Sequence, residues 1–133
     1  MLGFKQILVV AIGGAVGSVL RYKLGGWALH HTSSWNFPVS TFSINVAGCF
    51  VIGLLAALVE HHDLLSPTLR LLLFTGLLGG FTTFSAFGYE SAFLLRRGLF
   101  SVAMSYVTLS VLGGIIAVFA GIKLIDQFWP SQH

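Results

Sequence analysis

At 133 residues the chain has the length of one domain, and 56% of it is hydrophobic against 8% charged, with a mean hydropathy of +0.90. A soluble globule carries about 25% charged residues, so this chain has too little charge to cover a water-facing surface and reads as an all-α integral membrane protein. The formal net charge of +3 comes from scattered single residues near helix ends, which argues against a nucleic-acid partner.

Four windows supply the roughly 20 apolar residues that a hydrocarbon core of about 30 Å demands. They run Phe4–Leu29, Pro38–Val59, Leu69–Leu95 and Leu99–Ile125, and predict a single four-helix transmembrane domain over residues 1–133. In the first window Lys5 precedes an apolar run in the manner of a secretory leader. No A-x-A-like cleavage site follows, and Arg21-Tyr22-Lys23 lies inside the continuing stretch, so an uncleaved helix is expected. Gly13 and Gly17 form a G-x-x-x-G pair that lets another helix approach closely. Arg21 and Lys23 stand late in the helix, where a cation either snorkels or faces a water-filled vestibule. Trp27 suits an interfacial anchor.

A short polar connection, His30–Phe37, leads to Pro38 at the start of the second helix. Asn45, in the run SINVAGCFVIG, has no reason to sit at membrane depth unless its amide bonds something. Glue between helices and a place in a functional site are both open. Ser40, Thr41 and Ser43 are of a type that bonds its own backbone. The single cysteine, Cys49, excludes an intrachain disulfide and is expected as a small buried apolar residue. The second connection, Glu60–Thr68, holds His61, His62 and Asp63. These histidines, like His30-His31, are expected as solvated loop residues, since no H-E-x-x-H or Cys/His metal spacing accompanies them.

The third window contains the stretch on which the rest depends, Gly76–Glu90, GLLGGFTTFSAFGYE. Gly76, Gly79 and Gly80 weaken the helix just before Thr82-Thr83-Phe84-Ser85, each at about 1 kcal/mol relative to alanine. Non-helical backbone at membrane depth is tolerated only where protein buries it or where it lines a watery cavity. The third helix is therefore predicted to break at its centre and to put polar atoms at the midplane. Phe81, Phe84 and Phe87 recur every three residues, which predicts one broad helical face. Glu90 lies beyond the polar centre, toward the interface, and Arg96-Arg97-Gly98 closes the helix. On the fourth helix Tyr106 and Ser110 share a face while Thr108 points elsewhere. Gly113, Ala117 and Gly121 recur at intervals of four as a second close-packing seam. The tail, Lys123–His133, leaves the membrane through Trp129-Pro130.

With four spans, the N-terminus, second connection and C-terminus share one side. That side carries Lys5, Arg70 and Lys123, and the other Arg21, Lys23, Arg96 and Arg97. Three against four is almost no positive-inside bias. Copies are expected to insert both ways up and to pair as an antiparallel homodimer. A twofold axis in the membrane plane would bring two helix breaks together.

The central chemistry is neutral. Phenylalanine ring edges carry partial positive charge, and beside them stand hydroxyls of Thr83, Ser85, Tyr106 and Ser110 and the Asn45 amide. No Lys or Arg stands at the centre, which suits conduction of a small anion, since binding must be weak enough to release it. Carbonyls freed over Gly79–Thr82 can also coordinate a cation, as unwound transporter segments do.

Three motifs, GGAVGSVLRY at Gly13–Tyr22, the pattern around Asn45-Val46-Ala47-Gly48, and GGFTTFSAFGYE at Gly79–Glu90, closely resemble the Fluc (CrcB) family of small bacterial fluoride channels over almost the whole chain. The resemblance implies a multi-pass protein of the bacterial inner membrane, a dual-topology antiparallel homodimer with two fluoride pores. It implies that Phe84 and Phe87 present ring edges to the ion and that Asn45 supports those rings and the pathway. It matches Ser85, Tyr106 and Ser110 to a polar track with Glu90 at its end, and Arg21 to a vestibule arginine. It assigns the backbone carbonyls of Gly79 and Thr82 to a central structural sodium ion. Ala86 stands where the family commonly has threonine, and Gly113 and Gly114 lack a hydroxyl that would continue the track.

The expected function is a passive fluoride channel with no enzymatic activity. Two rivals differ from it in kind. A proton-coupled exporter like the small multidrug-resistance proteins needs a membrane-embedded carboxylate, for which Glu90 is the candidate. A scaffold whose glycines merely pack helices predicts no ion flux at all.

Overall fold

The computed structural model describes residues 3–130, except that the side chains of His61 and His62 lie outside the described part. The expectations for those two histidines and for the last three residues of the tail therefore fall outside it. The described residues contain four stretches long and apolar enough to cross a membrane, Phe4–Thr32, Val39–Glu60, Pro67–Arg96 and Phe100–Phe128. We label the helices α1 (Phe4–Thr32), α2 (Val39–His62), α3 (residues 67–81), α4 (Phe84–Arg96) and α5 (Phe100–Phe128). The third span consists of α3 and α4, with Thr82 and Thr83 extended between them (φ −82°, ψ 158° and φ −150°, ψ 113°).

Helix ends differ from the expected windows for local reasons. His30 and His31 complete α1 rather than joining a loop, because His31 Nδ1 donates to the Trp27 carbonyl at 2.8 Å and Thr32 Oγ1 to that of Ala28 at 2.8 Å. Glu60 likewise belongs to α2, whose end is set at Asp63, a non-glycine residue with φ 46°. The Asp63 carboxylate pairs with Arg70, and Arg70 Nε also donates to the Leu65 carbonyl at 2.9 Å, so the turn is tied across. Ser66 then caps α3 by accepting from Leu69 N–H, with Pro67 in the first turn where its missing donor is harmless. At the far end of α4 the chain reverses on Gly98 (φ 74°). Its N–H bonds Leu95 O and the next N–H, of Leu99, bonds Leu94 O, which satisfies the last carbonyls.

Two backbone-on-backbone seams assemble the bundle. Along the first, α1 packs on α3 through facing glycines. A Cβ on Gly13 would fall 2.9 Å from Gly76 Cα, Gly17 rests on the Leu77 carbonyl, and Gly80 rests on that of Gly14. The Gly13/Gly17 pair thus does what its spacing predicted. Gly76 and Gly80, expected to loosen the helix, remain helical and serve close approach instead. Along the second seam α2 packs on α5, with Gly53 against the Val118 carbonyl and Gly121 against that of Phe50. Ala117 of the predicted small-residue row is buried there too. Without a hydrophobic drive between helices in lipid, association depends on this close contact. The apolar side chains on the opposite faces, Ile12, Val16, Ile115 and Ile116 among them, are left outward.

Leu71–Leu78 is wound as a π-helix, with Gly79 N–H reaching back to Phe74 O. The wide winding sits immediately upstream of the break. A second packed region lies toward one end of the bundle, where Leu94, Ala103 and a wholly buried Tyr106 are covered by Phe37, Phe42, Phe87, Leu99 and Val102.

Candidate functional site

A break in a helix leaves amides and carbonyls without their usual partners. Here two side chains take them over. Asn45, on α2, donates from Nδ2 to Thr83 O at 3.0 Å and accepts from Thr83 N–H at Oδ1 at 2.8 Å, closing a two-bond clamp on one extended residue. Thr83 in turn caps α4, its Oγ1 accepting from Ala86 N–H at 3.2 Å and lying 3.2 Å from Ser85 Oγ. Thr82 keeps its N–H on Leu78 O at 2.9 Å and adds its own hydroxyl to the same carbonyl at 2.9 Å.

The extended pair leaves several carbonyls at the end of α3 without helical donors, and at two positions a side chain takes the donor. In an α-helix the carbonyl of residue i accepts from the amide of i+4. The partner for Gly79 O would be Thr83 N–H, which is given to Asn45. The partner for Thr82 O would be Ala86 N–H, which is given to Thr83 Oγ1. Gly79 and Thr82 are thus the two positions whose helical donors are drawn away by side chains. Hard monovalent cations take oxygen ligands of this neutral type, so the donor set fits a sodium ion.

A cavity of about 390 Å³ opens beside the break. Asn45, Gly79, Thr82, Thr83, Phe84, Phe87 and Ser110 all line it, as do Gly48 and Cys49. Seven of the residues singled out from the sequence therefore converge on one space. Cys49, expected to be buried, is half-buried along its wall. Ser110 Oγ is buried and has no hydrogen-bond partner among the described residues. Phe84 and Phe87 stand 5.5 Å apart between ring centroids, tilted by 38°. Phe84 is 82% exposed, whereas Phe87 packs at 5.2 Å on Tyr106. Phe81 does not share their face, since it ends α3 and the extended pair Thr82-Thr83 interrupts the helical count before Phe84.

From Phe87 the polar residues continue to Tyr106 and Glu90. Tyr106 OH donates to Glu90 Oε2 at 2.7 Å, and Thr41 Oγ1 donates to Glu90 Oε1 at 2.7 Å. Of the hydroxyls that could equally have bonded their own backbone, Thr41 joins α2 to α4 and Ser40 Oγ reaches Gly25 O of α1 at 3.0 Å. The signal that could have found Thr41 was its depth, since a buried hydroxyl facing another helix seeks a partner there. Glu90 also lines a second cavity, of about 310 Å³, formed by the α1–α2 connection with Ser34, Asn36, Phe93 and Arg97. Arg97 lies with its guanidinium 5.6 Å from the Phe93 ring centre. Arg21 on α1, the exposed Ser85 and the wholly buried Tyr106 line neither cavity.

A family described as CrcB-like protein, Camphor Resistance (CrcB), matches residues 8–122. A protein of Methylobacillus flagellatus named fluoride-specific ion channel FluC is 48% identical over 122 residues, covering 92% of this chain and 95% of that one. Proteins of the same name from Chloroflexus aurantiacus and Rhizobium etli are each 50% identical, over 121 and 120 residues, covering 90% of this chain and 94% and 95% of theirs.

Proposed function

The chain belongs to the CrcB family, and on that premise we propose that it is a passive fluoride-selective channel of the bacterial inner membrane, working as an antiparallel dual-topology homodimer with two pores. It is a multi-pass membrane protein and an ion channel rather than an enzyme. The observation that carries the fluoride reading is Ser110, a buried hydroxyl without a partner among the described residues, on the wall of a cavity that Phe84, Phe87 and the Asn45 amide also line and to which no charged side chain contributes. A buried donor left unmade costs about 1–3 kcal/mol, and an anion passing through the cavity recovers it.

The pathway begins at Phe84 and Phe87, whose ring edges meet the ion without a full charge to trap it. Asn45 holds the break and through it the start of α4, which carries both rings. Thr83 and Ser85 supply hydroxyls at that helix start, Ser110 continues the donors on α5, and Tyr106, whose hydroxyl is given to Glu90, steadies the end of the track. Glu90, steadied by Thr41 and Tyr106, ends this track beside the second cavity, and Arg21 is assigned to the vestibule. The exposed Phe84 edge and the nearly balanced Lys and Arg count support an inverted partner lying across the break. The carbonyls of Gly79 and Thr82 would hold a structural sodium ion between copies, where it would fix the two breaks against each other.

Fluoride enters an acid-exposed cell as neutral HF and is trapped inside as the anion. An inside-negative potential drives it out at about 2.3 kcal/mol per charge per 100 mV, so no coupling machinery is required. Protein reconstituted in liposomes without a pH gradient, with the potential clamped by a potassium ionophore, tests the passive reading. Fluoride release that follows the clamp supports it. A requirement for a proton gradient would favour the exporter.

A further inference from the structure

Gly48 stands one turn beyond Asn45 on α2, so both meet the extended pair Thr82-Thr83. Asn45 acts through hydrogen bonds to the backbone; Gly48 acts by having no side chain. A Cβ built on Gly48 would occupy the space of the Thr82 γ-methyl, with Phe81 Cδ1 next at 3.7 Å. Gly48 is buried and Thr82 half-buried, both on the wall of the cavity, so what holds the methyl in place is Thr82's own torsion. Threonine is stiff about its one branched torsion, and here the torsion is fixed by the bond from Oγ1 to Leu78 O at 2.9 Å. Rotating the methyl away therefore breaks that bond or shifts the residue itself.

We propose that Gly48 is a positioning residue: the gap over its α-carbon seats the Thr82 methyl, and Asn45 and Gly48 together fix where the third span passes from helix to extended chain. The placement of the Gly79 and Thr82 carbonyls and of the Phe84 ring follows from that point. Gly48 acts through Thr82 and not on the ion. The flux part of the test rests on the fluoride reading above; the stability part does not.

The test introduces Gly48→Ala in the native background and in a Thr82→Ser background, since serine keeps the hydroxyl and lacks the methyl. Fluoride efflux from liposomes and the thermal midpoint of the purified protein are measured for all four. In the native background the alanine is expected to slow efflux about tenfold and lower the midpoint, while in the serine background it changes efflux by less than about twofold. An equal loss in both backgrounds overturns the proposal, because a methyl that merely narrowed the pathway would act alike in each. No loss in the native background overturns it as well. Should native protein release no fluoride, the functional reading fails, and the midpoints alone decide by the same comparison. Should Gly48→Ala not fold, recovery of monodisperse protein by Thr82→Ser supports the seat and failure to recover contradicts it. Gly26→Ala, where an added Cβ meets nothing within 4 Å, is the control expected to change neither readout.

Discussion

Tyr106 and Glu90 are joined by a 2.7 Å hydrogen bond between α5 and α4, and the tyrosine that makes it is wholly buried. The ring packs between Phe37 at 5.4 Å and Phe87 at 5.2 Å, so the hydroxyl is aimed by aromatic contacts on both sides. Thr41 takes the other carboxylate oxygen. One acidic side chain thus ties three helices together beside the second cavity.

Tyr106→Phe keeps the ring and removes the donor. It is expected to destabilise the fold by about 1–3 kcal/mol, the usual cost of leaving a buried acceptor short of a partner, and to slow fluoride efflux. Tyr22→Phe, on an 81% exposed side chain, is the matched control and should leave both unchanged. Thermal melting in detergent with parallel efflux measurements checks both.

Asn45 satisfies one donor and one acceptor of the same extended residue. Asn45→Leu keeps the approximate shape and leaves both orphaned at membrane depth, for a loss of several kcal/mol. Asn45→Asp can still accept from Thr83 N–H but cannot donate to Thr83 O, and it adds a charge. Melting should therefore rank native above Asp above Leu, with efflux lost in both variants. A leucine variant as stable as native protein would remove the clamp from the account.

Phe84 is mostly outside the protomer, so the fold of one chain owes it little. Phe84→Ile is expected to cost the fold of a single chain less than about 0.5 kcal/mol, as surface substitutions do, and to suppress fluoride efflux strongly. A scaffold without a pore would show no such separation of stability from flux. Efflux and melting on the same preparation decide it.

Insertion in both orientations is the basis for the inverted pair. Reporter fusions to the C-terminus, active on only one side of the membrane, are expected to give signal from both sides in one population of cells. Signal from a single side would remove the antiparallel dimer.

The sequence made the membrane class, the spans and the close-packing glycines legible because each rests on a local pattern: apolar length, or small residues four apart. The break was legible from the paired threonines, whereas Gly76 and Gly80, expected to loosen the helix, remain helical and pack on α1. What replaced the broken bonds was not legible. Asn45 could equally have been glue or site, and its bonds to Thr83, 38 residues away, make it both holder of the break and wall of the cavity. The phenylalanine spacing misled at Phe81 because a period of three assumes continuous helix, and two extended residues intervene. The π-winding of Leu71–Leu78 carries no residue signature, because eight mostly leucine residues read alike in either winding. Thr41 and Glu90 lie 49 residues apart, and only the fold brings that hydroxyl to that carboxylate.

The central claim is that a cavity of ring edges and neutral donors passes fluoride and holds back its larger relative. The most direct measurement loads the same proteoliposomes with fluoride and chloride and follows both with ion-selective electrodes after the potential is released. The account predicts prompt fluoride efflux while chloride stays inside. Retention of both ions, or their release together, would contradict it.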